Sequence, residues 1–357
     1  MRQNKSILIL ISSPFQYWCA QEYLFQFGLA NESITVVNGA TFCANSMEQI
    51  GKLHENLPDV VVHTLSIPKQ GNLESRILPY AQLVGLFSGN IFDVILLGDL
   101  RQIWMQDIAC SIDCKNIVLV DDGAATNVFV EKLIVPAKFL LPISLHEQSP
   151  VRKDKASFIK QQLGMNIGQR RFVLYSVFSF TQHSGAVLNR LSLLKAIFQN
   201  NTLETKAESH FIGSPVSEKN IVGEEDYEEI LRDAAQLANS ITPLIYFAHR
   251  AEDIAAKRPL LESLGYRIEM HDEPYELVCA KQNRIPRQII GMHSTSLFNM
   301  KVLFGAEIAA ICYKIRETKL QELDKINWGS DRFSLKDHIE SIYSRLNEFN
   351  IAVRYPS

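Results

Sequence analysis

The run IVLVDDGAAT, Ile117 to Thr126, opens with four apolar residues, three of them β-branched, and stops at two adjacent acids and a glycine. A continuously apolar run, rather than an alternating one, marks a strand covered on both faces, as in parallel sheets flanked by helices. Outward from it, Ser6–Ile11, Ile34–Val37, Val60–Leu65 and Asp93–Leu97 read as further strands. Helical patterns at Gln16–Phe27, Phe42–His54 and Glu74–Phe87 separate them. Strands alternating with helices of this length indicate βαβ units and a parallel sheet. Ligands of such sheets bind beyond the carboxyl ends of the strands. Asp121, Asp122 and Gly123 therefore stand where this architecture places chemistry.

The pattern changes near residues 145–170, where HEQSPVRKDKASFIKQQLGMNIGQRR is polar and charged, with a helix expected at Lys155–Leu163. A second series of strands follows at Phe172–Val177, His210–Ile212, Leu244–Phe247, Tyr266–Met270, Leu277–Ala280, Gln288–Met292 and Ile308–Cys312. Helices are expected at Asp226–Ala238, Ala251–Leu264 and Leu297–Phe304, with a last amphipathic helix in the tail. At roughly 150 residues per domain, 357 residues suit two. The expected division is a first Rossmann-like domain over 1–150, a linker over 151–171, a second over 172–330 and a C-terminal helix over 331–357. The fold class is thus α/β, two Rossmann-like domains with parallel sheets facing a central cleft.

With a formal charge of -3, the chain lacks the basic excess of a general nucleic-acid binder. Its six cysteines, Cys19, Cys43, Cys110, Cys114, Cys279 and Cys312, form no C-x-x-C pair and are expected to be reduced thiols. The apolar run near the N-terminus, Ile7 to Ile11, is too short for a signal peptide. A cytoplasmic protein is expected, with room for peripheral attachment to the inner membrane and for oligomerisation. The chain has no G-x-x-x-x-G-K-[ST] loop, no G-x-G-x-x-G after the first strand and no G-x-S-x-G elbow. Those absences disfavour P-loop NTPases, dinucleotide dehydrogenases and α/β-hydrolases.

Neighbouring side chains at a strand end point to opposite faces, so one of Asp121 and Asp122 can act as a base while the other caps the following segment. A plain strand-end turn accounts for the same residues, and a metal pair lacks a third ligand nearby. His249 and Arg250 follow another strand, where an imidazole beside helix amides suits a phosphate. Ser294, Thr295 and Ser296 precede a helix and form either an anion site or an ordinary cap. Gly213 and Ser214 open a further loop at a strand end, and Glu276 follows Pro274 just before an expected strand.

An early SSPFQYWCAQEYL (Ser12 to Leu24), then DDG, then His249, Glu276 and the Ser-Thr pair come in an order that resembles the bacterial sialyltransferases of the GT-B type. That grouping holds lipooligosaccharide sialyltransferases and capsular polysialyltransferases. The resemblance implies that Asp122 or Asp121 deprotonates the acceptor hydroxyl and that His249 acts as acid towards the departing CMP phosphate. It implies that Ser294 and Thr295 bind that phosphate and that Glu276 holds the ribose. Arg250 departs from the pattern, standing where the family has proline. The implied activity is metal-independent, inverting transfer of a nonulosonic acid, most simply sialic acid, from a CMP-sugar to a terminal sugar of a bacterial surface glycan. No cofactor beyond that donor is expected. Transfer from CMP-Kdo or a UDP-hexose, and a non-catalytic nucleotide-sugar-binding protein, are the alternatives.

Overall fold

The computed structural model describes residues 4–39, 44–55, 57, 59–146, 149–180, 182–199, 204–238 and 243–355. The chain forms two units, one of residues 1–189 with 328–333, the other of 190–327 with 334–357.

In the first unit the strands are β1 (Ser6–Ile11), β2 (Ser33–Asn38), β3 (Val61–Thr64), β4 (Phe92–Leu97), β5 (Cys114–Val120), β6 (Leu140–Leu141), β7 (Arg170–Arg171), β8 (Val173–Ser176) and β9 (Ala186–Leu188). The helices are α1 (Pro14–Gln26), α2 (Ala44–His54), α3 (Leu73–Phe87), α4 (Ile103–Ser111), α5 (Ala125–Phe129) and α6 (Pro150–Gln162). Seven strands form one parallel sheet in the order β3-β2-β1-β4-β5-β8-β9. Ile7 to Ile11 of the central β1 are wholly buried, as continuous apolar strands demand. Helix α1 begins at once: the Ser13 side chain accepts from the Gln16 N–H and Pro14 occupies the first turn, where its missing N–H costs nothing.

The second unit carries β10 (Glu204–Ile212), β11 (Leu244–Phe247), β12 (Arg267–Glu269), β13 (Arg284–Gly291), β14 (Ala309–Tyr313) and β15 (Ala352–Arg354). Its helices are α7 (Ser192–Gln199), α8 (Glu224–Ala238), α9 (Ile254–Ser263), α10 (Tyr275–Lys281), α11 (Thr295–Phe304), α12 (Glu317–Glu322) and α13 (Leu335–Tyr343). Its sheet is parallel throughout, in the order β12-β11-β10-β13-β14-β15. Both sheets therefore wind outward in two directions from a central pair, β1/β4 in one and β10/β13 in the other. The expectation of two Rossmann-like α/β units holds.

Three boundaries differ from the sequence reading. Residues 151–171 are not a linker. Ser149 caps α6, whose polar surface buries no residue, yet Lys160 pairs with Asp107 of α4 at 2.7 Å. Strand β7 then pairs with β6 and β8 with β5, so the first unit continues to Asn189. An ion pair docks α6, and no apolar stripe announces it. Leu277–Ala280 are helical, not extended: Pro274 sits at the N-cap of α10 and the four residues are buried all round. A short apolar run buried on every side has no periodicity to separate helix from strand. Finally, the C-terminal region is not one helix. Residues 328–333 belong to the first unit, α13 ends at Tyr343, and β15 extends the second sheet at its β14 edge.

The five described cysteines form no disulfide with one another, and Cys43, like Phe42, lies outside the described residues. Burial pushes Cys110, Cys279 and Cys312 up to about 12, so these thiols stay protonated. Among the described residues no helix is long and apolar enough to cross a membrane.

Candidate functional site

The opening pair is split by the strand's alternation. Asp121 is wholly buried, and its Oδ2 accepts from the Val177 N–H at 2.7 Å, tying the end of β5 to the end of β8. Its Oδ1 is buried without a hydrogen-bond partner. Burial pushes Asp121 from its ordinary 3.8 up to about 7, against the pull of its hydrogen bonds. Asp122 lies on the other side, with its side chain 13% exposed. Its Oδ1 accepts from Gln16 Nε2 at 2.8 Å and its Oδ2 pairs with Arg101.

Neither carboxylate caps α5, which has no side-chain cap. Instead the Asp122 N–H donates to Thr126 Oγ1 at 3.2 Å. Gly123 makes the turn at φ +66°, a conformation glycine adopts without steric cost.

The carboxyl ends of the other strands complete this cluster. After β4, Asp99 is buried and binds Arg101 through both of its carboxylate oxygens, at 3.0 to 3.3 Å. Arg101 thus stands between two carboxylates, with its guanidinium 4.5 Å from the centre of the Trp328 ring and 5.3 Å from that of Phe129. Cation–π contact of this kind adds about 0.5–2 kcal/mol and fixes the guanidinium's plane. Burial, then repulsion from Asp122, raises Asp99 to about 6, with Arg101 pulling it down. Gln16 reaches Asp122 across Gly98, where any Cβ would lie 2.5 Å from Gln16 Oε1. The same Oε1 accepts from the Ser12 N–H at 2.7 Å, so Gln16 links the end of β1 to the end of β5.

In the second unit His249 follows β11. Its N–H donates to Glu252 Oε2 at 2.7 Å and its Nδ1 accepts from the Ala251 N–H at 3.1 Å. That acceptance assigns the ring proton to Nε2. Burial, then Arg250 and Lys219, lowers His249 to about 4, so the ring is neutral at pH 7. Glu252 is locked by Tyr246 at 2.6 Å and Lys257 at 2.7 Å. At Gly213 a Cβ would lie 2.2 Å from Glu252 Oε2 and 2.9 Å from the Phe247 carbonyl; this packing accounts for the glycine, and Ser214 beside it is buried. Arg250 is exposed.

After β13, Ser294 caps α11, its Oγ accepting from the Ser296 N–H at 3.3 Å, so Thr295 and Ser296 form the first turn. His293 precedes them. Its Nδ1 is buried with no partner, and burial, then Lys219, lowers it to about 4. Glu276 lies in the first turn of α10 rather than preceding a strand. It is buried, accepts from Asn299 Nδ2 at 2.8 Å, and is raised by that burial.

Each unit thus gathers its candidates at the carboxyl ends of its own strands. Reading the sequence missed Gln16, Asp99, Arg101 and Trp328 in the first unit, and Lys219, Glu252 and His293 in the second. GDLRQIW (Gly98 to Trp104) carries the same signature as IVLVDDG, an apolar strand ending in charge, and could have been found. Gln16 and Trp328 had no local signal, because their partners are remote in sequence.

Because native Asp121 keeps its proton to about 7 and the unfolded carboxyl loses it near 4, the folded state binds more protons between those values. Wild-type stability then falls as pH rises through that window. Asp121→Asn removes the titration. Its stability relative to wild type is expected to climb from pH 4 to 7, by at most about 1.4 kcal/mol per unit, and level off above. Urea denaturation across pH 4–8 checks this, and a flat difference would refute a buried titrating Asp121.

No family model matches the chain, and no curated protein matches it. Similar solved structures include MurG of Acinetobacter baumannii, at 10% identity over 99% of this chain and 86% of that one, TM-score 0.47. UGT89C1 of Arabidopsis thaliana, complexed with UDP-L-rhamnose, is 12% identical over 99% and 85%, TM-score 0.48. The spinosyn forosaminyltransferase SpnP is 11% identical over 97% and 91%, TM-score 0.48.

Proposed function

We propose that the chain is a GT-B-type inverting glycosyltransferase that moves a nonulosonic acid from a CMP-sugar to a terminal sugar of a bacterial surface glycan. One observation carries the reading. Of the two acids ending β5, Asp122 alone is not fully buried, and Gln16 and Arg101 orient it, while the second unit presents imidazoles and a helix start suited to a phosphate. Asp122 takes the proton of the acceptor hydroxyl as that oxygen attacks the anomeric carbon. The bond from that carbon to the donor phosphate breaks, and the electron pair leaves with CMP. Attack opposite the leaving group inverts the centre, as when a base and an acid flank a glycosidic carbon.

His249 enters neutral and donates from Nε2 to a phosphate oxygen; Ser294 and the first N–H groups of α11 bind the same group. A bound phosphate adds negative charge beside His249. Its pKa is therefore expected to rise from about 4 towards the ordinary range when CMP is added, as followed by NMR titration of the ring. An unchanged value would remove His249 from the phosphate site. Asp121 is a positioning residue that ties β5 to β8, and Glu276 takes the ribose.

Thermal shift with CMP, UDP, GDP and NAD side by side tests the donor. Stabilisation by CMP alone is expected, and equally in EDTA, because protonation or hydrogen bonding lets the phosphate leave without a metal. A UDP or GDP response would keep a transferase and replace its donor. No response from any of the four would discard the donor site.

A further inference from the structure

We infer that the acceptor is an anionic sugar, held by a cationic cavity in the first unit; this rests on the transferase reading above for the word acceptor, but not for the anion site itself. The cavity holds about 600 Å³, within the roughly 300–1,000 Å³ of ligand pockets. It opens beyond the carboxyl ends of β1 to β4, lined among others by Ser12, Gly39, Leu65 and Arg101. Ser12 is held by the same Gln16 that binds Asp122, and Arg101 pairs with Asp122 itself. The cavity therefore adjoins the proposed base.

Its charge is one-sided. Lys69, Arg76, Arg101, Arg152, Lys160 and His146 line it, and no Asp or Glu does among the described lining residues. Arg101 is opposed by Asp99 and Asp122, and Lys160 by Asp107. His146 has Asp331 at 3.3 Å. Arg76 and Arg152 have no carboxylate partner among the described residues. Trp104 and Tyr80 also line it. Arg152 also stands in the first turn of α6, which has no acidic residue there. A cation at that end of a helix opposes the macrodipole, so the helix gains nothing from it and a ligand does. Guanidinium forks pair bidentately with carboxylate and phosphate alike.

Glucose, glucuronate and glucose 6-phosphate differ only in the group at C6, and calorimetric titration of each without donor tests the site. Both anions are expected to bind at least about tenfold more tightly than glucose, with the preference shrinking in salt. The stronger of the two identifies carboxylate or phosphate as the group recognised. Arg76→Gln/Arg152→Gln is expected to lose the preference at unchanged or slightly raised thermal stability, and Arg76→Lys/Arg152→Lys to keep most of it. Equal binding of all three sugars, or a preference untouched in the Gln variant, would overturn the inference. Asp122→Asn separates the two proposals. If it binds anions but transfers nothing, both stand; if it binds anions and transfers at the wild-type rate, the base assignment fails and the anion site survives.

Discussion

Asp122→Asn is expected to lower transfer at least about 10²-fold, the contribution of a positioned general base, while CMP binding stays within a few-fold of wild type. The carboxylate is nearly isosteric with the amide, so Oδ1 keeps its bond from Gln16 Nε2. What changes is the loss of the group proposed to take the acceptor's proton. One competing cause has to be separated. The new amide N–H would face Arg101, which now pairs with Oδ2, and that misfit costs some stability. Rates are therefore compared at a temperature where both proteins are folded, by CMP release with and without acceptor. Wild-type turnover would remove Asp122 from the chemistry. A parallel loss of CMP binding would show that the substitution had disturbed the fold instead.

The second large effect is on Arg101. Methionine there keeps length and apolar contact with Trp328 and Phe129 but removes the cation between Asp99 and Asp122. Two carboxylates are then left facing each other, one of them buried. Breaking a buried pair costs about 3–5 kcal/mol; the Arg101 side chain is 23% exposed, so about 2–3 is expected here, along with a transfer defect as large as that of Asp122→Asn.

The pH dependence gives the cause away. Native Asp99 holds its proton to about 6, so between its ordinary 3.8 and 6 the folded state binds more protons and stability falls as pH rises. Without Arg101 the proton is held to still higher pH, and the fall extends upward. The deficit of Arg101→Met against wild type is therefore expected to be small at pH 5 and large at pH 8, by urea denaturation. A deficit equal at both would mean that packing, not charge, is what Arg101 supplies.

Much of the fold was legible in the residues because apolar strands buried on both faces need no tertiary information to be recognised. Ser6–Ile11 and Leu244–Phe247 were bounded to the residue, and Asp122, His249 and Ser294 were placed at strand ends because chain polarity alone puts them there. Leu277–Ala280 were misread because burial on every side erases the period. Helix α6 was taken for a linker because one lysine on a buried aspartate docks it.

What the chain determined by itself, then, is two parallel α/β sheets and the strand ends at which the candidate residues gather, since both follow from local runs of apolar side chains and the direction of the strands. Which acid is less buried, and what holds it, only the tertiary structure decided. Asp121 and Asp122 are equivalent as letters. They differ because β5 turns one towards the Val177 N–H and the other towards Gln16 and Arg101, groups brought there from 106 and 21 residues away. Burial and charge at those contacts, which no neighbouring residue encodes, give the two carboxyls different surroundings.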